Sequence, residues 1–144
     1  ALGLAEDPPC TGSVDMDEWP LRLAEIGVGL APLAQTEFNR AKSHLKILEM
    51  MACGVPFVAQ RYAEYERLVK SAGLGPAALA ATPKDWYRRL KALVANADLR
   101  VEQSGIGREF AAGMTIEGNA WRWLNSWQAA SDLQKGRAVT GLRV

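Results

Sequence analysis

The sequence predicts an α/β fold: a parallel sheet with helices on both faces, extended by helices at the C-terminal end. Three observations lead to it. Short apolar runs closed by proline or glycine alternate with helical patterns over residues 27–81, the order expected of parallel strands joined by crossover helices. From Pro83 to Gln134 the pattern is helical throughout. The composition, 49% hydrophobic and 23% charged over 144 residues, is that of one ordinary domain able to bury a core.

Along the chain, residues 1–10 end in Asp7-Pro8-Pro9-Cys10, which breaks helices, and Thr11–Asp15 reads as a short strand or strand end. Asp17–Ile26 fits a short helix, with Asp15 or Asp17 near its start and Pro20 in its first turn. Residues 27–33, Gly-Val-Gly-Leu-Ala-Pro-Leu, are almost continuously apolar, which suits a strand buried on both faces. A loop over Ala34–Ala41 follows. Lys42–Cys53 is the clearest helix, because Gly54 suits the position just past its end and Pro56 forbids continuation. Val55–Gln60 reads as a second buried strand, Tyr62–Ser71 as a polar amphipathic helix and Leu74–Ala81 as a third strand. Helices over Pro83–Asn96, Asp98–Gly113 and Ile116–Gln134 complete the pattern, with Gly113 and Gly118 as breaks. Residues 1–135 therefore read as one unit and 136–144 as a frayed tail.

Charge narrows the function. With 17 basic and 16 acidic residues spread along the chain, no single-sign field is available to drive nucleic-acid or anionic-membrane binding. The apolar runs are too short for a transmembrane segment and residues 1–20 lack the pattern of a signal peptide, so the chain reads as cytoplasmic. Cys10 and Cys53 form no paired motif and are expected as free thiols, Cys53 buried. His44 is the one histidine, so no multi-histidine metal site can be built, and no motif implies a metal or other cofactor.

The chemistry concentrates on the Lys42–Cys53 helix. Lys42, Lys46, Glu49 and Cys53 share one stripe of an otherwise apolar helix. The loop before it leaves the carboxyl end of a strand, where open α/β sheets bind ligands. A helix start exposes unpaired amides, here chiefly those of Ser43 and His44, beside the positive end of the dipole. Arg40, Lys42, His44 and Lys46 cluster around that start, which suits a diphosphate. Glu49 is placed to accept hydrogen bonds from two ribose hydroxyls. The competing reading is a solvated charged face in which Glu49 pairs with Lys46, Lys42 or an arginine.

The string Val28-Gly-Leu-Ala-Pro-Leu33, then Phe38-Asn-Arg-Ala-Lys-Ser-His-Leu-Lys-Ile-Leu-Glu49, then Met51-Ala-Cys-Gly-Val-Pro-Phe-Val-Ala59 resembles retaining GT-B glycosyltransferases. Weaker similarity runs outward from Gly12–Asp15 to the tryptophans at 121, 123 and 127. The resemblance implies the later part of a Rossmann-like donor-binding domain that takes a nucleotide-diphospho-sugar as substrate. It places Glu49 on the donor ribose and the amides of Ser43 and His44 on the phosphates, with Lys42 holding the diphosphate and Lys42 and Glu49 as the catalytic pair. Asn39, Arg40 and Lys46 complete the donor-binding set. The family's first glutamate falls at Ala41 and is absent, so Asn39 or Lys42 is expected to take part of the sugar contact. The family's two preceding strand–helix units and acceptor domain are also missing. The expected partners are therefore the donor together with an N-terminal acceptor domain, a partner chain or a second copy. A non-catalytic binding or assembly module of the same descent, and a sugar epimerase relative, are the alternative functions.

Trp86–Tyr87 and Trp121, Trp123 and Trp127 read as packing or interdomain contacts, and Arg88-Arg89-Lys91 as a solvated helix face. Tyr62 and Tyr65 follow the Val55–Gln60 strand at the ligand end, where a contact role is conceivable. Because Gly12–Asp15 resembles the family's third strand and Val28–Pro32 its fourth, strands belonging between them are expected to be missing. The two then pair directly, leave an edge open or borrow strands from another chain.

Overall fold

The computed structural model describes residues 12–135. Three parallel strands, β1 (Gly29–Ala31), β2 (Phe57–Gln60) and β3 (Leu79–Ala80), lie in the order β1-β2-β3, with Leu30 opposite Val58 and Ala59 opposite Leu79. The helices are α1 (Trp19–Ala24), α2 (Glu37–Arg40), α3 (Leu45–Ala52), α4 (Ala63–Ser71), α5 (Pro83–Ala95), α6 (Ala97–Ala112) and α7 (Ile116–Gln134). The α/β class with a parallel sheet and a helical C-terminal half is as the sequence predicts.

Alternation along the strands sorts the core onto two faces. Ala31, Phe57, Ala59 and Leu79 join Ile47, Met50 and Met51 of α3 and Tyr65, Leu68 and Val69 of α4 in the larger cluster. Val58 and Ala80 point the other way and meet Leu93 of α5, with Trp86, Leu90 and Leu99 packed against them. Consecutive strands added in one direction by right-handed crossovers place α3 and α4 on the same face. Each fully buried side chain such as Ile47 or Phe57 contributes about 1.5–3 kcal/mol relative to exposure.

Local signals set the element ends. Thr82 Oγ1 accepts from the Asp85 amide at 3.1 Å while the Asp85 carboxylate accepts from the Thr82 amide at 3.2 Å, a reciprocal cap at the start of α5 with Pro83 in its first turn. Asn96 caps α6 through the Leu99 amide at 3.0 Å, and Arg100 Nη1 donates back to Leu93 O at 2.6 Å, occupying a free carbonyl at the end of α5. Gly54 ends α3 at φ +68°, a left-handed conformation that side chains resist, and a Cβ there would meet the Arg108 guanidinium. At Gly107 a Cβ would approach Met51 Cγ to 3.2 Å, so this glycine lets α6 lie close on α3.

Several expectations are corrected. Residues 12–15 are irregular chain, not a strand, and Thr11 lies outside the described residues. A strand needs a hydrogen-bonding neighbour, and this segment pairs with none of the three strands. The strand expected over residues 27–33 shortens to β1, and Leu30 is 51% exposed between buried Gly29 and Ala31, so one face of the strand is open. Among the described residues nothing pairs with the outer edge of β1, so the direct pairing expected of residues 12–15 with it does not occur. The third strand forms only over Leu79–Ala80, because Pro76–Ala78 takes a 3₁₀ turn first. Gly118 does not break α7 but sits in its first turn, its amide donating to Thr115 Oγ1 at 3.2 Å.

The shortness of β3 leaves a gap beside β2 that a side chain fills. Parallel pairing to β1 uses the amide and carbonyl of alternate β2 residues, so those of Phe57 face the β3 side, where β3 has not yet begun. Gln103 of α6, buried, donates Nε2 to Phe57 O at 3.0 Å and accepts from Phe57 N at Oε1 at 3.1 Å. Its amide thus stands in for one residue of the missing strand.

Candidate functional site

The carboxyl end of the sheet gathers the loop after β1 with α2 and the start of α3, the Arg61–Tyr62 corner after β2, and the Ala81–Thr82 link after β3. The first loop is internally braced. Thr36 caps α2 through the Asn39 amide at 3.2 Å, and Asn39 Nδ2 donates to Ala34 O at 2.8 Å. Tyr62 ties this loop to the end of β2, its hydroxyl donating to Thr36 O at 3.0 Å. The next residue, Ala63, has φ +45°, a left-handed conformation that costs a non-glycine residue about 1–2 kcal/mol. This backbone strain lies at the corner the tyrosine clamps.

The helix expected from Lys42 starts at Leu45 instead. The short α2 takes up Glu37–Arg40, and the Lys42 amide closes its end on Asn39 O at 3.2 Å, so Lys42 and Ser43 form the bend between two helices. The polar stripe of α3 shrinks to Lys46, Glu49 and Cys53, with Lys42 beside its start. His44 occupies the N-cap position without a side-chain cap bond. Among the described residues the amides of Ser43, His44, Leu45 and Lys46 have no hydrogen-bond partner, while Ile47 and Leu48 already donate to His44 O at 3.1 Å. These are the orphan donors of a helix start. Ser43, Leu45 and Lys46 are exposed and His44 half-buried, so this start opens to solvent.

The charged groups around it divide. Arg40 pairs with Glu37 at 3.4 Å across an exposed helical turn, worth little in stability. Lys42 and Lys46 are exposed and make no ion pair among the described residues. His44 Nδ1 lies 3.9 Å from Glu64 Oε2, with side chains 29% and 28% exposed, and Glu64 also meets Arg67 at 3.1 Å. Glu49 is half-buried on α3 and makes no ion pair among the described residues, so the pairing with Lys46, Lys42 or an arginine of the competing reading is not formed there. Cys53, one turn after Glu49, is a free thiol, half-buried where burial was expected. Burial raises its pKa, and the Glu49 carboxylate raises it further.

Asn39 is half-buried in this loop, with its Nδ2 engaged by Ala34 O. Tyr65 is a core residue, 2% exposed, while Tyr62 is structural to the site as the clamp between loops. Glu64 and the exposed Arg61 were not singled out from sequence, although both follow the carboxyl end of a buried strand. No family model, curated protein or solved structure matches this chain.

Elsewhere, Trp86 packs as expected and donates Nε1 to Gln60 Oε1 at 3.3 Å. Trp121, Trp123 and Trp127 are 52%, 63% and 65% exposed on α7, which buries none of its residues, and Trp123 and Trp127 meet each other with ring centroids 6.4 Å apart. No helix among the described residues is long and apolar enough to cross a membrane.

Proposed function

We propose that this chain is the later part of the donor-binding half of a retaining GT-B glycosyltransferase and binds a nucleotide-diphospho-sugar at the start of α3. One observation carries the reading: four successive amides, Ser43–Lys46, without a hydrogen-bond partner among the described residues and open to solvent at the carboxyl end of a parallel sheet, beside Lys42 and Lys46, which make no ion pair among the same residues. Oriented amides at the positive end of a helix dipole are a ready anion site, and a diphosphate spans more of them than a carboxylate does. Glu49, half-buried and without an ion pair among the described residues, lies one turn along α3 and then accepts hydrogen bonds from the ribose hydroxyls.

In this reading Lys42, Lys46 and the α3 amides stabilise the diphosphate as the bond from the sugar's anomeric carbon to phosphate oxygen breaks and the sugar passes to the oxygen of an acceptor hydroxyl, whose proton leaves with the diphosphate. The acceptor site belongs to a further domain or chain, so the described residues account for donor binding alone. The test is thermal unfolding with uridine and guanosine diphosphates. A nucleotide at 100 times its Kd raises stability by about 2.7 kcal/mol, and Glu49→Ala removes the shift. If no nucleoside diphosphate moves the melting temperature at millimolar levels, the donor reading fails. The open β1 edge and the exposed tryptophans of α7 favour, in that case, the second reading, a non-catalytic assembly module.

A further inference from the structure

The helix α7 is 19 residues long and buries none of them. Along it Ile116, Ala120, Trp123, Trp127, Ala130 and Gln134 recur at alternating steps of four and three, all of them exposed, and exposed Leu124 borders them. That alternation is the seam of a helix pair, because it keeps one narrow stripe turned toward a partner along the whole length. No charge interrupts the stripe: Glu117, Arg122 and Asp132, the charged residues of α7, lie off it. Trp123 and Trp127 already meet on it, tilted at 51°, and form one aromatic surface near its middle. Trp121 lies off the stripe, with the Arg122 guanidinium 5.5 Å from its ring centroid.

We infer that α7 pairs antiparallel with α7 of a second copy of this chain along this stripe. Antiparallel pairing sets Trp123 of each copy opposite Trp127 of the other and Ala120 opposite Ala130, so layers of like size meet and the alanines let the helices approach closely. The ends match in charge. Glu117 and Lys135 are exposed and make no ion pair among the described residues, and the antiparallel pair brings each Glu117 beside the other copy's Lys135, whereas a parallel pair keeps them at opposite ends. Opposed helix dipoles favour the same orientation. The area is sufficient. At 63% and 65% exposure, Trp123 and Trp127 of the two copies together offer about 400–600 Å². A specific interface needs about 1,000 Å² in all, and Ile116, Leu124 and the alanines of both copies supply the rest along a helix about 28 Å long. A membrane surface is the poorer occupant, because Glu117 and Asp132 offset Arg122 and Lys135, while helices that lie on membranes carry an excess of basic residues. The inference does not depend on the donor reading, since α7 holds none of the donor-site residues.

Sedimentation equilibrium of the full chain tests it, with Leu30→Lys in every sample to stop association through β1. A dimer is expected at about 100 µM, dissociating at low micromolar concentration, as an interface of this modest size implies. Trp127→Lys is expected to weaken it about 30-fold or more, the scale of a central interface tryptophan. Ala130→Arg, which keeps helix propensity, is expected to weaken it as well by holding the two helices apart. Trp121→Lys, off the stripe, and Glu49→Ala, in the donor site, leave the dimer unchanged. Orientation is read by oxidising an equimolar mixture of Ala120→Cys and Ala130→Cys chains, with Cys10 and Cys53 replaced by serine: the mixed disulfide is expected to form in preference to either homodimer. A monomer at about 100 µM, a dimer that survives both W127K and A130R, loss of the dimer in W121K, homodisulfides without the mixed species, or a monomer that floats with phosphatidylglycerol vesicles overturns it.

Discussion

Replacing Gln103 with methionine removes both hydrogen bonds to Phe57 while keeping the side chain's length and volume. The Phe57 amide and carbonyl, at 3.1 Å and 3.0 Å from Gln103, then lie in a core where Phe57 is 1% exposed, with no strand residue to take over. Leaving a buried backbone group unpaired costs about 1–3 kcal/mol, so two such groups lower stability by about 2–6 kcal/mol. With a urea m-value of about 2 kcal/mol per M, the midpoint falls by about 1–3 M. Urea titration followed by far-UV circular dichroism and tryptophan fluorescence reads this directly. Gln103→Glu adds a sign to the test. Its carboxylate can accept from Phe57 N but cannot donate to Phe57 O, whereas the protonated acid can do both. Burial and this bond favour the neutral form, so the folded-state pKa lies above the ordinary glutamate value of about 4.3. Stability of Q103E is therefore highest below that value and falls as pH rises through the folded pKa. A loss under about 1 kcal/mol in Q103M, or a Q103E destabilisation relative to wild type that is smaller at pH 7 than at pH 4, refutes the account of Gln103 as a substitute strand residue.

Thr82→Ala removes the hydroxyl that is the main cause of the lowered Asp85 pKa, ahead of the Ala81 and Thr82 amides and Arg88, so NMR titration should find that pKa higher in the variant. Because Asp85 titrates below its ordinary value in the folded chain, its contribution to stability is present above that value, about 3.9, and lost as pH falls through the folded pKa; T82A should flatten this acid limb, and an unchanged limb contradicts the cap. Burial and then Glu49 raise the Cys53 pKa, so Glu49→Gln should speed alkylation by iodoacetamide at fixed pH, since the thiolate is the nucleophile; an unchanged rate would separate the two side chains. The β1 edge predicts concentration-dependent self-association in sedimentation velocity, suppressed by Leu30→Lys, because a charge on an exposed edge strand opposes strand addition; a monomer at every concentration counts against it.

Sequence patterns located the strands and helices where signals were local and mutually consistent. Gly54 and Pro56 bracket the α3–β2 link, and Thr82-Pro83-Lys84-Asp85 spells out the start of α5. The β1–α3 loop was less legible. Thr36 and Asn39 are ordinary loop residues until their bonds close α2, and that one helical turn moves the start of α3 from Lys42 to Leu45. The unpaired amides still include Ser43 and His44, because an anion-binding start depends on where donors go free, within a residue or two. Gln103 carried no local signal: it is one polar position in a helix, and only the early end of β3 gives it a partner. Arg89 sits in a run of cations that reads as solvated, yet it is half-buried, with its Nε buried and without a hydrogen-bond partner among the described residues. Residues 12–15 look strand-like, but a strand forms only with a neighbour to pair with, which sequence pattern cannot supply.

The central claim is that a nucleoside diphosphate binds at the start of α3, and amide chemical shifts test it most directly. On titration with uridine or guanosine diphosphate, the largest ¹H–¹⁵N shifts should fall on Ser43, His44, Leu45 and Lys46, move downfield as hydrogen bonds to phosphate form, and disappear in E49A at the same nucleotide concentration. Shifts centred elsewhere on the sheet, or none at millimolar nucleotide, would contradict the account.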